Sequence, residues 1–220
     1  MTQDGLPRLH SLGDAALLCE LPGPATLEAQ QKLWALASQA ASWPGVGELL
    51  PGMNNLTLMF DPLLLDAQEL ELRVLAIWPT IEAVPMEGRL IEIPVAYGGE
   101  HGPDLADVAA HTGLTPFEVV RRHSEAEYVV YFLGFLPGFA FMGGLPPELA
   151  TPRRNEPRLA VPARSVGIGG EQTGIYPSMS PGGWQIIGRT PLTLFDPLAP
   201  SPTLLKAGDR VRFVAESVEA

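Results

Sequence analysis

VPARSVGIGGEQTGIYPSMSPGGWQIIGRTPLTLFD, residues 161–196, decides how the chain is read. Gly and Pro crowd it, yet Val, Ile, Tyr and Trp recur in strand-like pairs. Glycine supplies backbone conformations that other residues resist, and proline fixes φ and removes a donor. A linker has no use for Trp184, Ile186 and Ile187. A disordered segment carries fewer apolar residues and more charge. The stretch reads as short strands alternating with tight, rigid loops. It is either the wall of a functional site or the scaffold of a loop-rich barrel.

The flanks extend this pattern. Before it, YVVYFLGF (128–135) is rich in β-branched and aromatic residues and reads as a buried strand, turned sharply at Pro137-Gly138-Phe139. TPRRNEPRLAVP (151–162) then gathers Arg153, Arg154 and Arg158. After it, SPTLLKAGDRVRFVAE gives a turn from Lys206 to Asp209 and a closing strand, VRFV. Further upstream, RLIEIPVAYGG (89–99) is a strand. Asp104 reads as the N-cap of a helix ending at Gly113. Thr115-Pro116 with Glu118 reads as a capping box opening a second helix to about Ser124. Short strands with two helices suggest an antiparallel barrel.

Residues 1–80 have a different rhythm. DAALLCEL (14–21) is a strand, 25–42 a helix, VGELLPGM and NNLTLMFDP two strands turning at Pro51-Gly52, and Asp66 with Glu69 resembles a capping box opening a helix to about Trp78. Strand, helix, strand, strand, helix fits a ferredoxin-like α/β sandwich. Pro79, Pro85 and Gly88 mark the boundary. The expectation is an α+β chain with domains at 1–84 and 85–220.

The 220 residues suffice for two small cores. A net charge of -11 opposes binding to phosphate backbones and anionic membranes, so neither nucleic acid nor membrane is an expected partner. The N-terminus lacks a signal-peptide pattern and no apolar run is long enough to span a bilayer, which makes the cytoplasm the expected location. Cys19 lies in an apolar run and reads as a buried structural thiol. His10, His101, His111 and His123 lack metal-ligand spacing, so no metal is expected in this chain. GIGGEQTG lacks the Lys-Ser/Thr ending of a phosphate loop, and no GxSxG is present.

The remaining candidates are polar groups around the glycine-rich stretch. His123 ends a helix, where the dipole favours a protonated ring; the competing reading is a capping or solvent-facing histidine. Arg153, Arg154 and Arg189 flank the loops and suit carboxylate or phosphate, with ordinary salt bridges as the alternative. Gln172, Thr173 and Tyr176 offer neutral donors and acceptors. Phe135, Phe139, Phe141 and Trp184 line a pocket or simply fill a core.

YGGEHGPDL (97–105), YVVYFLGFLPGFAFMGGL (128–145), TPRRNEPRLAVP and the opening stretch together resemble the B subunit of the bacterial 5-oxoprolinase complex. The same group is described as allophanate hydrolase subunit 1 and includes a sporulation kinase inhibitor. GDAALLCEL and PGMNNLTLMFDP agree as well, so the resemblance covers almost the whole chain. It implies a ferredoxin-like N-terminal domain, a cyclophilin-like β-barrel after it, and partnership with the C and A subunits. It further implies ATP-dependent opening of 5-oxo-L-proline to L-glutamate, with ATP and Mg held by the assembled complex.

By matching position, the resemblance implies catalytic roles for His123 (proton transfer), Gln172 and Arg189. It implies substrate binding by Arg153, Thr173, Tyr176, Pro137, Gly138, Phe139 and Trp184. Two departures stand out: Arg164 replaces the usual Gly of VPAGSVG, and Ala140-Phe141 replace Pro-Tyr after PGF. The alternatives are a regulatory inhibitor of a histidine kinase and the carboxyltransferase half of a urea or allophanate system.

Overall fold

The computed structural model describes residues 6–85 and 87–219. The chain divides into two compact units, Met1–Met86 and Glu87–Ala220.

The first unit orders its elements as β1 (Arg8–Ser11), β2 (Ala16–Glu20), α1 (Leu27–Ala40), β3 (Val46–Gly52), β4 (Asn55–Phe60) and α2 (Ala67–Ile77). Its antiparallel sheet runs β1-β2-β4-β3. In β4, Leu56, Leu58 and Phe60 are buried while the residues between them are half-buried, as the period-2 pattern requires. They pack with Leu17, Leu33 and Leu36 in one core, each contributing about 2 kcal/mol by burial. Asp66 caps α2 by accepting from the Gln68 and Glu69 amides, but the box is only half made, because the Glu69 carboxylate pairs with Arg73 one turn on. Cys19 is fully buried, which pushes its thiol up to about 12.

Two expectations change here. β1 was not foreseen; its pairing with β2 supplies an edge strand before, not after, the strand-helix-strand-strand-helix series. The β3–β4 turn also falls later than Pro51-Gly52. Pro51 and Gly52 pair with Leu56 and Asn55, so the chain reverses at Met53-Asn54, with Asn54 at φ 60°. Asn tolerates that left-handed conformation, and its Nδ2 ties the turn to the carbonyls of Leu21 and Gly23.

The second unit comprises β5 (Leu90–Gly98), α3 (Leu105–Thr112), α4 (Pro116–Glu125), β6 (Tyr128–Leu133), β7 (Ala140–Gly143), β8 (Arg158–Val161), β9 (Ser165–Gly169), β10 (Gln172–Ile175), β11 (Ser180–Gly182), β12 (Gln185–Arg189) and β13 (Arg210–Glu219). Seven strands close a barrel in the order β10-β7-β6-β13-β5-β12-β9, and β11 pairs with β8 as a separate ribbon. The barrel is not wholly antiparallel: β13 runs parallel to β5 along its length. It extends well past VRFV, because that ladder continues through the polar residues up to Glu219. Pro94 is tolerated in β5 because β12 pairs only with Ala96 and Tyr97, leaving that flank of β5 open beside it.

The capping box at α4 forms as expected, with Thr115 and Glu118 exchanging bonds. Asp104 behaves differently. It precedes α3 but makes no capping bond, because its carboxylate turns into the protein. No helix of the described residues is long and apolar enough to cross a membrane.

Candidate functional site: an aromatic pocket beside the barrel

The composition of the 161–196 stretch has a spatial cause. A Cβ at Gly169 would collide with the indole of Trp184, and one at Gly182 with the hydroxyl of Tyr176. Glycine is needed at both positions so that these rings can lie flat against backbone. Gly170 opens the β9–β10 turn at φ 67°, next to Glu171, the position where a two-residue hairpin favours glycine.

The rings so placed wall a cavity of about 290 Å³, lined by Phe135, Phe139, Phe141, Arg153, Tyr176 and Trp184 among others. Phe139 is its hub. It meets Tyr176 at 5.2 Å and Trp184 at 5.5 Å, both edge-to-face, the arrangement that ring quadrupoles favour. Pro137 and Gly138 form the turn that delivers it, Gly138 at φ 82° with no room for a Cβ beside Phe195 and Leu194. Phe141 stacks on Phe132 at 4.5 Å and adds a purely apolar wall. The guanidinium of Arg153 stands 6.0 Å from the Trp184 ring centre and is exposed. Burial pushes the Tyr176 phenol above its ordinary range, against smaller opposing effects of the Trp184 backbone, Arg153 and Arg158. Tyr176 therefore stays protonated and can donate.

Four other predicted residues lie elsewhere. His123 is fully buried inside the barrel. Its Nε2 meets the Thr173 hydroxyl at 2.9 Å and its Nδ1 meets the Tyr97 hydroxyl at 2.8 Å. Thr173 donates to the Gly167 carbonyl at 3.0 Å. Its oxygen must then accept from His123 Nε2–H, and Nδ1 accepts from Tyr97. One neutral tautomer satisfies every partner. The ring is neither protonated by the helix end nor solvent-facing, because it is sealed from water. Helix dipoles contribute about 2 kcal/mol at most, whereas burial lowers the His123 pKa to about 3, a penalty of roughly 5 kcal/mol on the charged form. Thr173 is equally sealed and does not line the pocket. Gln172 begins β10, half-buried, and also lies outside the lining. Arg189 lines a second cavity with Arg164.

The polar residue that sequence reasoning missed is Asp104. Its carboxylate, almost fully buried, accepts from Arg154 Nη1 at 2.8 Å, from both terminal nitrogens of Arg158 at 2.7 and 2.8 Å, and from the Ile186 amide at 2.6 Å. Arg154 and Arg158 are thereby committed to structure, fastening the 151–161 segment to the start of β12. The run of three arginines was the available signal, since a protein with this excess of acid has carboxylates to hold most of them.

A family model for the carboxyltransferase domain, subdomain C and D, matches residues 7–205. The 5-oxoprolinase B subunit of Escherichia coli O157:H7 is 54% identical over 212 residues, covering 95% of this chain and 96% of that one. Its namesake in Haemophilus influenzae is 50% identical over 208 residues, covering 94% and 97%. The chain belongs to the 5-oxoprolinase B-subunit family. The crystal structure of the Kluyveromyces lactis urea amidolyase, 21% identical, superposes with a TM-score of 0.85 over 99% of this chain and 15% of that far longer one, a likeness of fold.

The two positions that depart from the expected pattern, Arg164 and Phe141, have a defined geometry. Arg164 keeps the left-handed backbone of a glycine, at φ 71°. Phe141 places a ring face on the pocket where the expected tyrosine would bring a hydroxyl. The glycine-rich sequence GIGGEQTG is committed to the β9–β10 hairpin, with Gly169 and Gln172 paired across it, so it forms no phosphate loop. Among the described residues no cluster of three or more His, Cys, Asp or Glu could hold a metal ion.

Proposed function

We propose that this chain is the B subunit of an ATP-dependent 5-oxoprolinase complex, acting in the cytoplasm with the C and A subunits to open 5-oxo-L-proline to L-glutamate. One observation carries the reading: a small aromatic cavity bears a single exposed arginine, Arg153, that has no carboxylate partner among the described residues. A small cyclic acid needs an apolar slot for its ring and one guanidinium for its carboxylate. The faces of Trp184 and Phe139 pack the ring, Arg153 holds the carboxylate, and protonated Tyr176 offers a neutral donor to the ring amide. A lactam carbonyl is a poor electrophile until its oxygen is activated, and ATP supplies that chemistry.

The described residues do not fit ATP on their own. The glycine-rich turn is a barrel hairpin and no acidic cluster stands ready for Mg. No step is therefore assigned to ATP in this chain, and on this proposal the assembled complex holds it. On the same reading the first unit is a ferredoxin-like sandwich with β1 at the edge beside β2, and the second is a cyclophilin-like barrel.

The test is reconstitution with the C and A subunits, following ATP-dependent loss of 5-oxoproline. Arg153→Ala is expected to raise KM roughly ten- to a hundredfold. No turnover by the complete set overturns the reading. Dependence on a biotin carrier would point to the urea or allophanate system, and capture of a histidine kinase without the C subunit to the regulatory one.

A further inference from the structure

Most arginines of this acidic protein are ion-paired: Arg73, Arg89, Arg121, Arg122, Arg154, Arg158, Arg210 and Arg212 each hold a carboxylate. Arg164 and Arg189 hold none among the described residues, yet both line one cavity of about 270 Å³ at one end of the barrel, with Ala96, His101 and Glu216. Each guanidinium is pinned by one bond to a backbone carbonyl. Arg189 Nε donates to Ala163 at 3.1 Å, and Arg164 Nη1 donates to Pro191 at 3.3 Å. The remaining N–H groups keep the planar fork that suits an oxyanion.

The backbone of Arg164 adds a second observation. It lies at φ 71°, which costs an L-residue about 1–2 kcal/mol. The bend itself is structural: the Arg164 amide donates to Tyr176 and its carbonyl accepts from Thr190. Glycine would make the same bend without that cost. What arginine adds at this position is its side chain, and that side chain lines the cavity. Strain held at one residue beside a pocket points to use of the side chain.

We propose that this cavity is a second anion-binding site, taking a small ligand through a carboxylate or phosphate group between the Arg164 and Arg189 guanidiniums. His101 lines the cavity as well, its Nε2 3.7 Å from the exposed carboxylate of Glu100. Glu216, exposed in β13 beside β5, is the one carboxylate among the described residues lining the cavity; it repels a dianion and limits affinity. The site is distinct from the aromatic pocket and does not depend on turnover.

The experiment is calorimetric titration of the whole chain at low salt, with inorganic phosphate in one series and malonate in another. A saturable binding event that persists in Arg153→Ala is expected, and the tighter of the two probes names the ligand's acid group. Arg164→Gly, which fits the bend, is expected to weaken binding about tenfold or more. Glu216→Gln is expected to tighten it, and Arg153→Ala to leave it unchanged. Three results overturn the proposal: no saturable binding of either probe, wild-type affinity in Arg164→Gly, or loss of binding in Arg153→Ala.

Discussion

Thr173 and Tyr176 are three residues apart, yet they serve two regions built on opposite principles. Thr173 enters the barrel interior, where every polar atom of the His123–Tyr97–Thr173 chain has its partner and water is excluded. Tyr176 faces the pocket, where an arginine stands over an indole with no carboxylate to hold it. A polar group whose partners are all inside the protein stabilises a conformation. A polar group without one, set in a cavity, is free to recognise something else. The comparison also separates arginines in one short segment: Arg154 and Arg158 are committed to Asp104, whereas Arg153 is not.

The contrast can be broken most severely at Asp104. Asp104→Ala removes a buried charge and strands two guanidiniums and the Ile186 amide. It is expected to destabilise the second unit by about 3–5 kcal/mol, read as a shift in its denaturation midpoint. His123 gives the next largest effect, and it depends on pH. Its folded pKa of about 3 lies below the ordinary 6.5, so the unfolded chain binds the proton first. Its contribution is complete above pH 6.5 and falls as pH drops toward 3, by about 1.4 kcal/mol per pH unit, hence about 2 kcal/mol at pH 5. His123→Gln is expected to flatten that part of the stability–pH profile; an unchanged slope would show that the buried ring is not its source. Gly169→Ala pushes a methyl into Trp184 and is expected to cost about 1–3 kcal/mol and to weaken ligand binding by the pocket. Arg153→Ala sharpens the contrast from the other side: stability within about 0.5 kcal/mol of wild type, with the loss confined to substrate binding.

What the sequence made legible follows the same division. Alternating Leu56, Leu58 and Phe60, the Asp66 cap and the Thr115–Glu118 box depend on near neighbours, and all formed where the pattern placed them. β1 escaped because RLHS has no apolar alternation and owes its strand to β2. The polar half of β13 owes its ladder to β5 in the same way. Asp104 was misread because a cap and a buried anchor look identical in sequence; only the arrival of Arg154 and Arg158 from some fifty residues away separates them. For the site, the aromatic residues and Arg153 come together. His123, Thr173 and Arg189 lie apart from them, since strand alternation and the turn at Arg164 send neighbours in sequence to different faces.

The parallel pairing of β5 with β13 sets an order of events during synthesis. Leu90 finds Arg210, and Ile93 finds Phe213, only after the intervening residues have left the ribosome. The first unit is by then complete, while Ile91, Ile93 and Val95 wait on an unpaired edge. Closure across so long a loop is slow, and a waiting apolar edge invites aggregation. The nascent second unit is therefore the part of this protein that should need a chaperone, and shortening the wait by circular permutation, with β13 placed ahead of β5 through a crossover linker, should speed its refolding.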